Sequence, residues 1–393
     1  MPAIPQPQPS DPAVIFYTSG TTGLPNGVLV PHRAVWSRHL VPLLGLDFGD
    51  HNRFEGHLPV CHPAGYHGVL LGALTCGGTY YLVPAFEPES LVALIAAQRI
   101  TVMLATPAQW YALLQTPSFS TEAIASLQAA TYGGAPMAAG LLHRLAAALP
   151  CPLYQVYGVT EAGHVGFLRQ TGRKPGELRP TGYCQLRAIR PHGQPDETVP
   201  PGEVGELIAD AGADALSTEY LNRPAATAAA VTGGWYRTGD LVIFDHDGDF
   251  RLSGRADDMI ISGASNIHPE EVEAILGTYP GVADVAVVGV PDARYGDLIV
   301  ACAVGGGASA ADLDAHCRAS GLADFKRPQG YLFLPALPRN SLAKVLRREL
   351  RTAAAGAHHS GRLAYISPAA RPPPGPHSAA THRTPAASPA GHD

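Results

Sequence analysis

Lysine is scarce in this chain. Only three of its 27 basic residues are lysine, Lys174, Lys326 and Lys344, so each is worth locating. Charge is thin altogether, at 15% of residues, and the net charge is -6. A protein held to nucleic acid by phosphate contacts shows a basic surplus, so that class is disfavoured. The six cysteines form no CxxC pair and no Cys/His metal spacing. That argues against a disulfide framework or a zinc site and for free thiols in a reducing compartment. No apolar run reaches the ~18 residues that span a bilayer. The N-terminus MPAIPQPQPS has neither the basic nor the apolar region of a signal peptide. The expectation is a cytoplasmic protein with no nucleic-acid partner and no membrane span.

What is present is an alternation of strand and helix signals. Short apolar runs such as Ala13–Gly20 lead into Gly/Thr loops, and Pro88–Pro107 reads as a helix followed by a buried strand. Gly140–Pro150 reads as a helix and Pro152–Gly158 as a strand, which together predict an α/β fold. Past Gly254 the pattern changes to a helix at Pro269–Pro280 followed by strand-like Val282–Val290 and Leu298–Val304. That predicts a separate small α+β domain of ~95 residues. The expected layout is a lead-in over 1–12, a core over 13–256, the small domain over 257–352 and a tail over 353–393. The tail is rich in Ala, Pro, His, Ser and Gly and is expected to be disordered, because it buries too little apolar surface to offset chain entropy.

Chemistry concentrates in a few turns. YTSGTTGLPNG, Tyr17 to Gly27, combines glycines with three hydroxyls in four positions. Such a loop offers amides and hydroxyls to a phosphate or oxyanion, although it lacks the GK[ST] of a Walker A loop. It reads equally well as a surface turn. Gly133-Gly134-Ala135, Tyr157-Gly158-Val159-Thr160-Glu161, Tyr236 to Asp240, Gly254 to Asp258 and Pro338 to Lys344 follow in order. Each alone is a polar turn, and the ordered set is hard to produce by chance.

From Asp11 to Leu350 these motifs resemble the adenylate-forming superfamily of acyl-CoA ligases, carrier-loading adenylation domains and luciferases. GRADDMIISGASNIHPEEVEAILGTYPGV, LADFKRP and LPRNSLAKVLRREL look closest to the halobenzoate- and benzoate-type aryl-CoA ligases. The resemblance implies a large domain and a small mobile one. It implies ATP-dependent activation of a carboxylic acid, Mg2+, and thioester formation with coenzyme A. Thr18, Ser19, Gly20, Thr21, Thr22 and Gly23 then match the phosphate loop. Gly133, Gly134, Ala135 and Tyr157 match the adenine site. Thr160 matches the α-phosphate contact, and Glu161 the carboxylate facing magnesium. Asp240 and Arg255 match the ribose contacts, Lys344 the lysine that neutralises charge at the α-phosphorus, and Asp257 the hinge. Gly263 matches a turn that faces the site after the hinge moves. Phe325 and Arg327 match positions holding the nucleotide end of coenzyme A, Arg327 being as readily an ordinary surface arginine. His62 matches the substrate loop Leu58–Gly65. Val41, Pro63, Gly133, Val156, Gly158, Gly163 and His164 complete the acyl pocket. That loop lacks the Asp of amino-acid-activating relatives, which points to an aromatic or similar acid.

Two departures stand out. Asn26 occupies the phosphate-loop position where most members carry lysine. The Thr/Gly loop also starts a dozen residues after Met1, where the family has a further subdomain; a late assigned start, a truncation with decayed activity, and a homodimer or complementing chain that supplies the missing part are the three explanations left open. Two other readings stay open: loading of a separate carrier protein, and a nucleotide-binding remnant with little catalysis.

Overall fold

A computed structural model of the chain describes residues 6–18, 25–44, 48–135, 137, 139–169, 176–262, 265–340 and 344–365. The fold is α/β, with a large domain followed by a small one. A twelve-stranded sheet organises the large domain. Its parallel half sets Thr79–Leu82, Arg53–Gly56, Val102–Ala105, Ala129–Gly133 and Leu153–Val159 side by side. Beyond Leu153–Val159 the neighbours Gly163–Arg169, Glu177–Pro180, Phe250–Arg255, Trp235–Phe244, Val204–Asp210 and Leu186–Ile189 pair antiparallel. The strand at this change carries Val156, Tyr157 and Gly158. Ligands of open α/β sheets bind outside the carboxyl ends of the parallel strands.

The helices form for local reasons. Pro88–Gln98 has proline in its first turn and stops at Arg99, which adopts a left-handed φ of 51°. Pro107–Leu114 opens with a capping box between Thr106 and Gln109. Both, with Ala139–Ala148, lay Leu91, Ile95, Trp110 and Leu145 onto Ile100, Met103, Ala130 and Leu153 of the sheet layer. Each such side chain contributes about 1.5–3 kcal/mol when fully buried.

Pro12–Thr18 and Asn26–Pro31 form an antiparallel hairpin in which Thr18 opposes Asn26. The ends of the phosphate-loop motif, Tyr17–Thr18 and Asn26–Gly27, therefore face each other across this pair of strands. The hairpin is tied to the segment around Tyr220 by Leu221 N–H donating to Gly27 O at 2.8 Å and Leu29 N–H donating to Glu219 O at 2.9 Å. Helix His32–Leu44 follows at once.

A six-stranded sheet around Gly296–Val304 forms the small domain. Helices Pro269–Leu276 and Ala310–Ala319 contribute Val272, Leu276, Leu313 and Cys317 to one of its cores. The expectation of disorder over 353–393 is corrected for residues 353–365; the rest of that segment lies outside the described residues. Helix Arg347–His359 runs into it, burying Leu350, Ala354 and Ala357 with Val288, Val300 and Leu363, and Ala364–Tyr365 adds an edge strand. Alanine-rich composition concealed a helical stripe at i, i+4, i+7. Among the described residues no helix is long and apolar enough to cross a membrane.

Candidate active site

The site is assembled at the carboxyl end of Leu153–Val159. Gly133 and Gly158 stand where a side chain has no room. A Cβ on Gly133 would lie 2.7 Å from Val156 O, and one on Gly158 would lie 2.2 Å from Gly163 O. Gly134 has φ +81° and no close neighbour, and Ala135 is exposed, so an open backbone platform faces solvent there. Tyr157 is buried beside it, and its hydroxyl donates to Asp240 Oδ2 at 2.6 Å. Arg255 Nη1 donates to Asp240 Oδ1 at 2.8 Å. The pair Asp240↔Arg255 is set by strand register across Trp235–Phe244 and Phe250–Arg255. Burial and Asp240 push the Tyr157 phenol well above its usual pKa, so it remains a donor. The sequence-matched Tyr157, Asp240 and Arg255 thus form one connected group.

Glu161 is buried on the turn between Leu153–Val159 and Gly163–Arg169. Tyr220 OH donates to its Oε1 at 2.8 Å, and the buried Tyr236 also hydrogen-bonds the carboxylate. Phenol donors leave the carboxylate its charge and spare lone pairs for a hard cation. Among the described residues no group of three or more His, Cys, Asp or Glu is arranged to hold a metal ion. A cation at Glu161 would therefore need ligands from a bound phosphate.

Thr160 and Glu161 are held by a residue that the motifs did not single out. Arg38, on helix His32–Leu44, is fully buried. Its Nη1 donates to Thr160 O at 2.9 Å, Nη2 to Glu161 O at 2.6 Å and Ser217 Oγ at 3.0 Å, and Nε to Ala215 O at 2.8 Å. Desolvation lowers its pKa to about 10, against the opposing pull of Glu161. Gly163, at φ +68°, admits the arginine stem: a Cβ there would meet Arg38 Cγ at 2.6 Å. A lone arginine in a helix carries no local pattern, so only the tertiary contacts reveal it.

Lys344 belongs to the small domain yet lies within electrostatic reach of Asp240, Asp258 and Arg255. Its turn is closed by Asn340 N–H donating to Lys344 O and Lys344 N–H donating to Asn340 Oδ1, both at 2.9 Å. The residue as a whole keeps solvent exposure. Desolvation of the ammonium and the neighbouring Arg255 nevertheless hold its pKa below the ordinary lysine value, with Asp240 pulling the other way. His62 feels Lys344 too; burial first, then that cation, lower its pKa to about 4. His62 Nδ1 accepts from Ala64 N–H at 3.1 Å, which fixes the neutral ring. The domain seam is clamped beside the hinge candidate. Arg351 Nη2 donates to Asp257 O at 3.1 Å and Asp258 Oδ1 at 2.8 Å.

A cavity opens below the glycine platform, on one face of the central strands. Phe48, Phe54, Val69, Val102, Leu104 and Phe167 supply carbon walls, and Gly68, Thr131, Val156 and His164 complete it. Val156 and His164 of the expected acyl pocket line it. Pro63 leads into the π-helical turn Ala64–Leu70, which supplies Gly68 and Val69.

Arg327 is a correction. It is buried, with Nη1 2.7 Å from Asp314 Oδ1 and Nη2 3.0 Å from Asp324 Oδ1. Two carboxylates already neutralise it, so it is a structural cation of the small domain rather than a free phosphate contact. Phe325 is exposed beside it, with Lys326 Nζ 5.8 Å over its ring. Ser19, Gly20, Thr21, Thr22, Gly23, Gly263, Lys174 and the side chain of Val41 lie outside the described residues.

Comparison with known proteins agrees with this arrangement. The family description "AMP-binding enzyme" matches residues 1–220, and "AMP-binding enzyme C-terminal domain" matches residues 271–344. A 4-chlorobenzoate–CoA ligase of Arthrobacter is 43% identical over 353 residues, covering 89% of this chain and 67% of that protein. The ATP-bound structure of MatB from Rhodopseudomonas palustris superposes with a TM-score of 0.82 at 27% identity, over 88% of this chain and 69% of that one. O-succinylbenzoate coenzyme A synthetase of Bacillus subtilis, solved with ATP and magnesium ion, gives a TM-score of 0.78 at 30% identity, over 88% of this chain and 71% of that one. The chain spans about two thirds of the length of these relatives.

Proposed function

Because the chain belongs to the AMP-binding enzyme family of adenylate-forming acyl-CoA ligases, we propose that it activates an aromatic carboxylic acid with ATP and Mg2+ and transfers the acyl group to coenzyme A. The observation that carries this reading is the convergence of Tyr157, Asp240 and Arg255 with Lys344 of the other domain. The aromatic substrate is supported by the name of the Arthrobacter relative and by the carbon-walled cavity. The cytoplasm is the proposed location, in keeping with six free cysteines.

In this reading the glycine platform at Gly133 and Gly134 lets a purine approach the backbone, and Tyr157 closes one side. Asp240 is held rigid by two donors, which leaves its outer lone pairs aimed at vicinal hydroxyls. Glu161 would hold Mg2+, which supplies charge neutralisation on the phosphates. The Lys344 ammonium meets the charge that builds as the carboxylate oxygen displaces pyrophosphate. Such a step depends on placed charge rather than covalent help. Neutral His62 lines the path of the acid without adding a second cation. Phe325 remains a candidate contact for coenzyme A, and Asp257 the candidate hinge that withdraws Lys344 before thioester formation.

Acid-dependent pyrophosphate release with ATP, followed by thiol consumption when coenzyme A is added, tests the reading. No acid-dependent release with any acid of the panel would reject it, and transfer to a carrier protein in preference to coenzyme A would change the acceptor. Tyr157→Phe removes a donor from Asp240 and is expected to raise KM for ATP about tenfold, roughly 1.4 kcal/mol, with kcat little changed. Steady-state kinetics at saturating acid checks this.

Asn26 starts the second strand of the hairpin, and its Oδ1 is buried with no hydrogen-bond partner among the described residues. Asn26→Lys adds a cation at the start of that strand and is expected to lower KM for ATP by ~3- to 10-fold, the scale of a charge-assisted contact. Unchanged ATP dependence in the variant would count against a phosphate role for this position.

A further inference from the structure

The acyl cavity carries more information than its carbon walls. Among the described residues its lining holds no Asp, Glu, Lys or Arg. A charged group on the acid's far end would be buried without a partner, at a cost of several kcal/mol. Second carboxylates and ammonium groups are thereby disfavoured. One wall group is nevertheless unsatisfied. His164 lines the cavity, and its Nδ1 is buried with no hydrogen-bond partner among the described residues.

The state of that nitrogen follows from the rest of the ring. The backbone carbonyl of Arg38 accepts a hydrogen bond from the His164 ring. Nδ1 has no partner, so the donor is Nε2–H. Arg38 is itself immobilised by its four side-chain hydrogen bonds, so the carbonyl that fixes the tautomer is rigid. Desolvation first, and then the Arg38 cation, lower the His164 pKa to about 4, so the ring is neutral in the working range. Neutral imidazole protonated at Nε2 presents a lone pair at Nδ1 and no proton. A buried acceptor left unpaired costs about 1–3 kcal/mol until a donor arrives.

We propose that the acid is an aromatic carboxylate carrying an uncharged hydrogen-bond donor, a phenolic hydroxyl or an aryl amine, and that His164 Nδ1 is the group that reads it. The proposal rests on the ligase reading for the direction of the acid: carboxylate toward Lys344 and ring into the cavity. His164 would then determine specificity, with Phe54, Val69 and Leu104 accepting the ring and Nδ1 accepting its donor. Halogen- or methoxy-substituted acids fill the same space and leave Nδ1 unpaired. A site built to hydrogen-bond a substrate hydroxyl rejects the analogue that lacks it far better than an apolar pocket rejects an added group.

The test uses the full chain with a panel of benzoates bearing hydroxyl, amino, methoxy, chloro or no substituent at each ring position. Binding is read by ligand-observed NMR, and turnover by pyrophosphate release with ATP. The expected result is at least a tenfold preference, in binding and in kcat/KM, for a hydroxy or amino acid over its methoxy counterpart at one ring position. His164→Leu is expected to erase that preference and raise the standing of the chloro and methoxy acids, while circular dichroism shows the fold retained. Equal binding of hydroxy and methoxy acids by the unaltered chain, a preference that survives in His164→Leu, or binding of none of the acids would overturn the proposal. Should the chain bind the hydroxy acid selectively but turn over no acid, the ligase reading fails and this one stands. Turnover without donor preference sustains the ligase reading and overturns the role given to His164.

Discussion

Lys344→Ala is expected to cut ATP–pyrophosphate exchange by ~10²–10³-fold, the scale seen when one charge-stabilising donor is removed from a transition state. The loss should fall on kcat, because the ammonium meets charge that exists only as pyrophosphate departs. The second half-reaction, thioester formation from preformed acyl-adenylate, should be largely retained if Lys344 acts in the first step alone. Measuring both half-reactions on one preparation separates that role from general damage. The sign of the pH dependence follows from the surroundings. Lys344 works as a cation, and desolvation with Arg255 lowers its pKa. The alkaline limb of exchange should therefore fall earlier than an ordinary lysine would dictate. Lys344→Arg, which keeps its charge at every accessible pH, should move that limb upward even where its rate is low. An unshifted limb would remove Lys344 from the adenylation step.

Arg38→Gln is expected to destabilise the fold by about 3–5 kcal/mol. The reason is the number of buried acceptors it serves. Three carbonyls and Ser217 Oγ depend on one guanidinium with no exposure, and an amide replaces at most two of those bonds. Urea unfolding with an unchanged m-value reads the loss. The functional part is read with Arg38→Lys, which preserves charge but not the fork that spans Thr160 and Glu161. Its expected signature is a higher magnesium requirement and a raised KM for ATP, with aromatic acid KM changed less. A purely structural arginine would lower the amount of active protein and leave those constants alone.

Most of the candidate nucleotide site was proposed from the chain alone. Tyr157, Thr160, Glu161, Asp240 and Arg255 were each a weak polar signal alone and were marked by the family resemblance of the ordered set; hydrogen bonds and strand register then join Tyr157, Asp240 and Arg255. Arg38 was not legible, because its partners are 122 to 179 residues away. Arg327 misled for a related reason. Its motif matches a coenzyme A contact or an ordinary surface arginine, but Asp314, on a helix thirteen residues earlier, and Asp324 enclose it. Residues 353–359 misled because alanine is both a low-complexity residue and the best helix former. Only packing of Ala354 and Ala357 against the small sheet distinguishes the two.

The sequence by itself determined the fold class, the order of the nucleotide motifs and the retention of Lys344 among three lysines, since each is written in local pattern and spacing. Tertiary structure alone decided which charges are free and which are spent. It neutralised Arg327, buried Arg38 beneath the Thr160–Glu161 turn, and left one nitrogen of the cavity-lining His164 buried without a partner among the described residues. The physical reason is that burial and pairing set the worth of a polar group, and both depend on neighbours that the fold, not the chain order, supplies.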